Sequence, residues 1–597
     1  MSKKMKVSID YTSRDFNSIK QRLVDHAKKY YPTTYQDFSE AGFGSLMIDS
    51  VAYIGDILSF YVDYQANESF VDTASEFRNL VSLGNQTGFK LQQNPSSTGI
   101  VTFFVMVPAN SSGTGPDLRY VPILKKGTTM TSKTKARFLL DEDVNFEEGD
   151  TVVARVNATT GAPTHFAIKN YGSVSSGELQ SVSINVGNYQ KFREERIQDT
   201  SLTEVVSMVD SDGHNYYEVD YLTQNVIMSS IANRDTDTMT SVREVLKPMV
   251  VPRRFTTKVA DYGVSIQFGA GIEEAGADGR RLDPSNVAIK MYGKEYISDV
   301  EMDPSRLLSS DSLGISPANT QLTVTYRRNT KRDVNVSTNT LTTVDAPLVE
   351  FSDLASLNTA TMLQVRSSIE CSNESPIVGS IEENNVEELR RRVMNSYGAQ
   401  RRAVTLQDYE TMAYSMPYKF GALKRVKAIR NPNPRRGNLN IAVVAENSDT
   451  TLTSANAVLK ENLKTWLDKS RMVSDVIEIA DAKILNLGID FTIIGDLNKD
   501  SNAILQACIS KLSNHLSLRP DIGEAFYITD IYKALKDVEG VIDVVDVFIK
   551  TKTGSNYSSI SFSIEENLSQ DGRSIIIPRN AIYEVKYPNI DIKGAVR

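Results

Sequence analysis

The stretch Gly42 to Gln65, GFGSLMIDSVAYIGDILSFYVDYQ, constrains the fold more than any other part of the chain. At helical spacing it carries two apolar seams side by side. Leu46, Tyr53, Ile57, Phe60 and Tyr64 lie on one, interrupted by Ser50; Met47, Val51, Ile54, Leu58 and Tyr61 lie on the other. Asp49, Asp56 and Asp63 recur every seven residues and keep close to one line on the remaining face. A surface helix ordinarily has one apolar stripe, so this one is suited to two neighbours at once. Those neighbours could come from its own domain or from other chains, and periodicity does not separate the two. A membrane span is disfavoured, because three aspartates would each be costly at bilayer depth. The preceding residues, MSKKMKVSIDYTSRD, are polar and show no signal-peptide pattern, so no membrane contact is expected.

A chain of 597 residues has room for several domains and enough apolar content to bury cores without staples. Residues 10 to 90 read as helical. Thr12 with Asp15 resembles a capping box before Phe16, Ile19, Leu23, Ala27 and Tyr30, and a third helix runs from Ala74 to Thr87. From Pro95 the texture becomes β-rich: GIVTFFVMVPA, VPILKKGTTMTSK, ARFLLDEDVNF, DTVVARVNAT, HFAIKN, LQSVSINVG, SLTEVVSMV and NYYEVDYL are strand candidates. Residues 231 to 260 are mixed, and YGVSIQFGAGIEE and TQLTVTYRRN add two more strands. After Ser380 helices and strands alternate, including NNVEELRRRVMNSYGAQ, a second capping box at Thr405 and Asp408, a helix capped by Thr529, and the strand GVIDVVDVFIK. The expected fold class is therefore multidomain α+β: an N-terminal helical domain, central antiparallel β domains, and C-terminal α/β sandwich-like domains. The boundaries expected are 1–94 (helical), 95–260 (β-rich), 261–380 (β-rich with a Gly turn), 381–480 (α/β) and 481–597 (C-terminal α/β).

Signals for chemistry are weak. The histidines His26, His165, His214 and His515 are far apart, and no HExxH or CxxC arrangement occurs. Neither a GxSxG elbow nor a GxxxxGK[ST] phosphate loop is present. Gly269-Ala270-Gly271 is a fragment of a dinucleotide motif with Glu274 at its third glycine position, and reads as a tight turn with φ > 0. Asp210, Asp212 and Gly213 have the wrong spacing for an EF-hand and read as an Asp-Gly turn. With 74 acidic residues, carboxylate pairs arise by chance and nothing selects one for glycoside hydrolysis. No catalytic, cofactor-binding or metal-ligating residue is expected, and the chain reads as a non-enzyme.

Charge argues in the same direction. A net charge of -8 lacks the basic footprint of a nucleic-acid binder. Two cysteines, Cys371 and Cys508, suggest no disulfide framework and suit a reducing compartment. Residues 387 to 436, however, hold twelve Lys/Arg against four Asp/Glu. Arg390, Arg391, Arg392, Arg401 and Arg402 head that block. It reads either as a solvated face or as an electrostatic docking site for an acidic subunit surface. Without interleaved aromatic platforms, nucleic acid comes third.

Several motifs resemble one family. IDYTSRDF (9 to 16) and the run from Asp37 to Lys90 resemble the opening of baseplate J-like proteins, the wedge subunits of contractile-tailed bacteriophages. Tyr53, Gly55, Asp56, Leu58, Tyr61, Asn67, Glu68, Phe70, Asp72, Thr73, Ala74 and Arg78 match its AY-x-GD-x-L-x-x-Y and N-E-x-F-x-D-TA-x-x-R patterns. IQFGAGI is similar to its FGDGI turn, with Ala270 in place of a polar residue. Residues 381 to 417 resemble its E-x-LR…RAVT-x-x-DYE block, and ITDIYKALKDVEGVIDV its closing α/β unit. Residues 95 to 260 match only in texture.

The resemblance implies a structural baseplate wedge subunit without chemistry of its own, located in the virion tail baseplate and assembled in the host cytoplasm. It implies a homodimer that contacts other baseplate wedge proteins, neighbouring wedges and a sheath-initiating protein, with no nucleic acid, membrane or cofactor. Its wedges would join into a ring around the hub that rearranges on tail contraction. Residues 1–94 would then be a wedge-bundle domain and 481–597 a ring-contact domain. Met47, Val51, Ile54, Leu58 and Tyr61, with Tyr53 and Phe60, would meet helices of other chains, and the three aspartates would form an outer or partner-facing polar edge. The arginine block would dock between subunits. The alternatives are a carbohydrate-binding or hydrolytic tail protein, and the equivalent wedge protein of a bacterial contractile injection system.

Overall fold

Val101, Phe103, Val105 and Val107 alternate along one strand, and all four are closed off from solvent. That period of two, with intervening side chains turned the other way, makes Thr98–Pro108 the spine of a sheet. It pairs antiparallel with Pro163–Ser176, from Thr98 opposite Ser175 to Pro108 opposite His165. The computed structural model describes residues 15–31, 33, 42–91, 94–232, 244–260, 263–271, 313–329, 334–352, 357–381, 386–430, 439–496, 499–517, 520–554 and 556–597. Two compact units emerge, one of residues 1–90 with 384–398 and one of residues 91–383 with 399–597.

The smaller unit is helical: α1 (Phe16–Tyr30), α2 (Phe43–Asn67), α3 (Phe77–Gln86) and α4 (Val386–Ala399). Nothing in the sequence pattern joins α4 to the N-terminal helices, yet its Val393 meets Gly84 of α3, where an added Cβ would lie 3.1 Å from Val393 Cγ2. Asp15 caps α1 by accepting from the Ser18 N–H and hydroxyl, at 3.4 and 2.6 Å. The capping pair is thus Asp15 with Ser18; Thr12 lies outside the described residues.

The larger unit runs through four layers. The first sheet has the order Leu341–Ala346, Thr129–Ser132, Arg137–Leu140, Pro163–Ser176, Thr98–Pro108, Glu370–Ser372, with Asp150–Val156 also on Pro163–Ser176. A second sheet of seven strands is built on Glu178–Val186, Thr320–Arg328 and Leu202–Val209, closing over Phe255, Ile266 and Phe268. Gly177 turns the chain from the first sheet into the second at φ +131°, where a Cβ would strike Arg327 and the Arg328 carbonyl. A two-stranded hairpin, Val226–Ala232 with Glu244–Val250, stands apart from both. Next, the strands Arg425–Arg430, Leu439–Glu446, Leu452–Thr453 and Ile477–Asp481 carry α5 (Leu406–Tyr414) and α6 (Ala457–Asp468). The Thr405–Asp408 capping box forms in full at the start of α5. Last comes the sheet of Val541–Lys552, Lys483–Gly495, Ala581–Glu584 and Ile592–Val596, with α7 (Ser501–Ser517) and α8 (Ile528–Lys536). Leu485, Leu487, Ile489, Phe491 and Ile493 alternate inward along its central strand. The chain is multidomain α+β, with helices first, antiparallel sheets next and α/β layers at the end.

Three local expectations change. Tyr527, not Thr529, sits at the N-cap of α8, without a side-chain cap bond. The short helix Thr359–Ser367 has no counterpart in the sequence reading. Gly269 does not adopt a positive φ. Glycine is required there for close approach, since a Cβ would lie 2.1 Å from the Gly314 carbonyl oxygen.

Buried polar side chains join these layers. Asn335, 4% exposed, accepts from the Ser97 hydroxyl at 2.7 Å and the Ser380 N–H at 3.0 Å. Its amide donates to the Ser380 and Glu446 carbonyls, both at 2.8 Å. Asn335→Leu would leave those groups buried without their partner, and should lower the unfolding free energy by about 2–4 kcal/mol. Urea unfolding with an unchanged midpoint would contradict this.

Candidate functional site, an uncovered helical face

The helix α2 turns the usual amphipathic arrangement around. Its buried residues are Ser45 and Ala52. Gly55, on the same side, lets Ile19 of α1 approach to 3.4 Å of where a Cβ would stand, and Asp49 binds Lys20 at 2.8 Å. Small residues therefore line the covered side of the helix, and an ion pair ties it to α1. Asp49 faces α1, so it does not belong to an outer, partner-facing edge.

Among the described residues both seams are largely open. Met47, Val51, Ile54, Leu58 and Tyr61, with Tyr53 and Phe60, are between 49% and 66% exposed. Phe43, Leu46 and Val62, outside the expected interface set, are open as well, at 60% to 76%. The helix is about 37 Å long at 1.5 Å per residue. A soluble monomer rarely leaves a contiguous apolar patch of this extent in water. Among the described residues α2 is also the one helix long and apolar enough to cross a membrane, by length and composition. Its aspartates, and the tie between Asp49 and Lys20, argue for a protein neighbour over a lipid one.

The motif that follows α2 has a structural purpose. Glu68 accepts from the Ser75 hydroxyl at 2.6 Å, the Asn79 amide at 2.9 Å, and the Ser75 and Glu76 N–H groups at 2.8 and 3.3 Å. The Glu76 N–H opens α3, where negative charge is favoured, and the Ser75 N–H directly precedes it. Thr73 donates to the Asn67 carbonyl at 2.6 Å, and Ala74 is fully buried. The turn locks the end of α2 to the start of α3 and presents Phe70, 66% exposed, beside the open seams.

Hydrogen bonds from Ser75 and Asn79 hold the Glu68 carboxyl down at about 2, below its ordinary 4.5. A lowered folded-state value means the stabilisation is complete above about pH 4.5 and is lost as the pH falls toward 2. The start of α3 should therefore loosen across that window, and Glu68→Gln should be looser at neutral pH but flat with acid. Hydrogen-exchange pulses at one common pH, after incubation at each test pH, would show this over Phe77–Gln86. Parallel acid profiles for the two proteins would refute it.

The arginine block is divided in its roles. Arg390 donates to the Ala74 carbonyl at 2.7 Å and to Glu387 at 2.6 Å, and Arg392, nearly buried, binds Glu388 at 2.8 Å. Arg390 thereby ties α4 to the turn before α3, and Arg392 braces α4 along its own length. Arg391, Arg401 and Arg402 are exposed. Arg401 lies over the Tyr221 ring at 4.7 Å, and Arg402 donates to Gln400 at 3.3 Å.

Among the described residues one group has a metal-like arrangement, Asp210, Asp212 and His214. Asp210 there accepts from the Asp212 and His214 N–H groups and contacts the His214 ring, and Gly213 has φ +83°. These are the bonds of an Asp-Gly turn.

Against known proteins, residues 15–86 match the family model of the bacteriophage baseplate protein N-terminal domain. That segment contains α1, α2, α3 and the Glu68 turn, so the described helices of the N-terminal region are similar to a phage-baseplate N-terminal domain. No curated protein matches the sequence. A cryo-EM structure of the anti-feeding prophage baseplate, 6-fold symmetrised, overlaps 97% of this chain and 99% of its own at 8% identity, with a TM-score of 0.30. An overlap that loose does not establish a common fold.

Proposed function

We propose that this chain is a structural wedge subunit of a contractile-tail baseplate, in the virion, where it pairs with a second copy and joins other wedge proteins into the ring. One observation carries the reading: the matched segment, residues 15–86, contains a helix whose apolar seams are left largely uncovered by the described residues. Helices of partner subunits laid along Met47, Val51, Ile54, Leu58 and Tyr61 on one side, and Tyr53 and Phe60 on the other, would remove that surface from water. The work such a subunit does is assembly and transmission of a shape change. Its neighbours in this reading are other baseplate proteins, including adjacent wedges and a sheath-initiating protein, and it is assembled in the host cytoplasm.

The seam can be tested without disturbing the fold. Ile54 is 56% exposed, so Ile54→Asp should leave the melting temperature nearly unchanged while abolishing co-purification with partner baseplate proteins. A variant that assembles normally would remove α2 from the interface.

A second contact in this reading uses the exposed arginines. Arg391, Arg401 and Arg402 would dock on acidic surface, a contact that salt screens. Assembly should weaken as ionic strength rises, and less steeply after Arg401→Gln combined with Arg402→Gln. Equal salt slopes would return these side chains to the solvated face.

A further inference from the structure

The strand Val541–Lys552 ends its sheet. It pairs antiparallel with Lys483–Gly495 and, among the described residues, with no strand on its other edge. Val547 turns its side chain into the core, opposite Phe491, and Ile549 lies partly buried opposite Ile489. In an antiparallel ladder, side-chain direction and hydrogen-bond direction alternate together. The N–H of Val547 is served by the carboxylate of Asp546, the residue before it, at 2.8 Å. Past the register shift at Val545, the N–H of Val544 is served in the same way by Asp543 at 3.0 Å. Both carboxylates stand where a neighbouring strand would place its carbonyls.

On the other face of this edge stand Asp546, Phe548 and Lys550. Phe548 is 58% exposed. Lys550 is held by Asp490 of the next strand. Bulges and charges often blunt an edge against pairing, and the shift at Val545 fits that use. An open phenylalanine midway along the edge does not.

The order acid, aromatic, base is complementary to itself when a second strand is laid antiparallel upon it. We propose that two copies of this chain join through the free edges of Val541–Lys552, about a two-fold axis at Phe548. This rests on the self-association proposed above and assigns it a surface. In that register Phe548 faces Phe548 of the second copy, and each Asp546 faces Lys550 of the other. Val547 and Ile549 exchange backbone hydrogen bonds across the seam. The N–H of Val547 then passes from the Asp546 carboxylate to a carbonyl, which frees that carboxylate for the lysine opposite. Lys550 has three donors and can keep Asp490 as well.

Neighbouring registers fail on the same residues. Moving the axis to Val547 or Ile549 sets a charge against Phe548, and moving it to Asp546 or Lys550 sets like charge against like. The contact is isologous, as a two-fold pair requires. Its area falls in the small class, below about 1,200 Å², so in isolation it should be weak.

Sedimentation of the full chain at tens of micromolar tests the assignment. Asp546→Lys and Lys550→Asp should each raise the dimer dissociation constant by about tenfold or more, because each sets like charges face to face. The double exchange restores the pairing in this register alone, and should return the constant to within about threefold of the parent. Phe548→Cys should give a covalent dimer under diamide, since facing residues at a non-hydrogen-bonded position are close enough for a disulfide. Lys550→Cys, displaced from its own copy along the strand, should not. The native Cys371 and Cys508 are buried and leave the background low. A parent chain that is monomeric throughout overturns the self-association and this surface together. A dimer indifferent to both charge reversals, with no Phe548→Cys crosslink, overturns this surface and leaves the self-association standing.

Discussion

The larger unit depends on satisfying polar backbone where its layers meet. Strand ends from different sheets converge there, and each brings carbonyls and N–H groups that water cannot reach. Asn335 answers this with one side chain, because a carboxamide both accepts and donates in one plane. It serves Ser97 at the start of the first sheet, Ser380 in the crossing segment and Glu446 at the end of a strand of the α/β layer. Arg327 does similar work nearby: one guanidinium nitrogen binds the Ser96 hydroxyl and the Ser176 carbonyl, and the other Glu204. Apolar burial supplies the bulk of the stability, but it is non-directional. These two groups fix which strand end lies against which.

The smaller unit is held by other means. Its longest helix buries Ser45 and Ala52, and its contact with α1 includes Ile19 against Gly55 and the Asp49–Lys20 pair. The Glu68 turn and the Arg390 bond to the Ala74 carbonyl add directional ties. A helix packed in this way leaves much of its apolar surface uncovered by the described residues. The arrangement is costly for a chain alone in water, and that cost is also the free energy available when the seams are covered.

Much of this was legible in the sequence where one local rule governs. Strand alternation from Val101 to Val107, the Thr405 capping box and the double seam of α2 are all periodic or short-range signals. The direction in which the seams face was not legible. Periodicity places Met47 and Ser45 on different sides of a helix but does not say which side meets α1. The cue was present in the small line Ser45, Ala52 and Gly55, which permits a close approach that the bulkier seams do not. The split among the arginines was hidden for a related reason. Arg390 finds its acceptor on Ala74, more than three hundred residues away, and sequence charge counts carry no such information. The motif Asn67–Glu68 to Thr73–Ala74 is visible as a pattern, whereas its purpose as a clasp on α3 depends on Ser75 and Asn79 folding back onto Glu68.

Helical seams and a strand edge would assemble subunits by different physics. Apolar seams gain from area and tolerate small sliding, because the hydrophobic effect has no direction. A strand edge is read in steps of one residue, and a slip by one step turns every side chain to the wrong face. In the ring proposed above, joints that change shape without coming apart would need both properties. Contacts like the faces of α2 can shift while remaining covered. A contact like the edge at Phe548, with its charges in one order, either keeps its register or opens. Compliance would then be concentrated in the helical unit and registration in the C-terminal sheet.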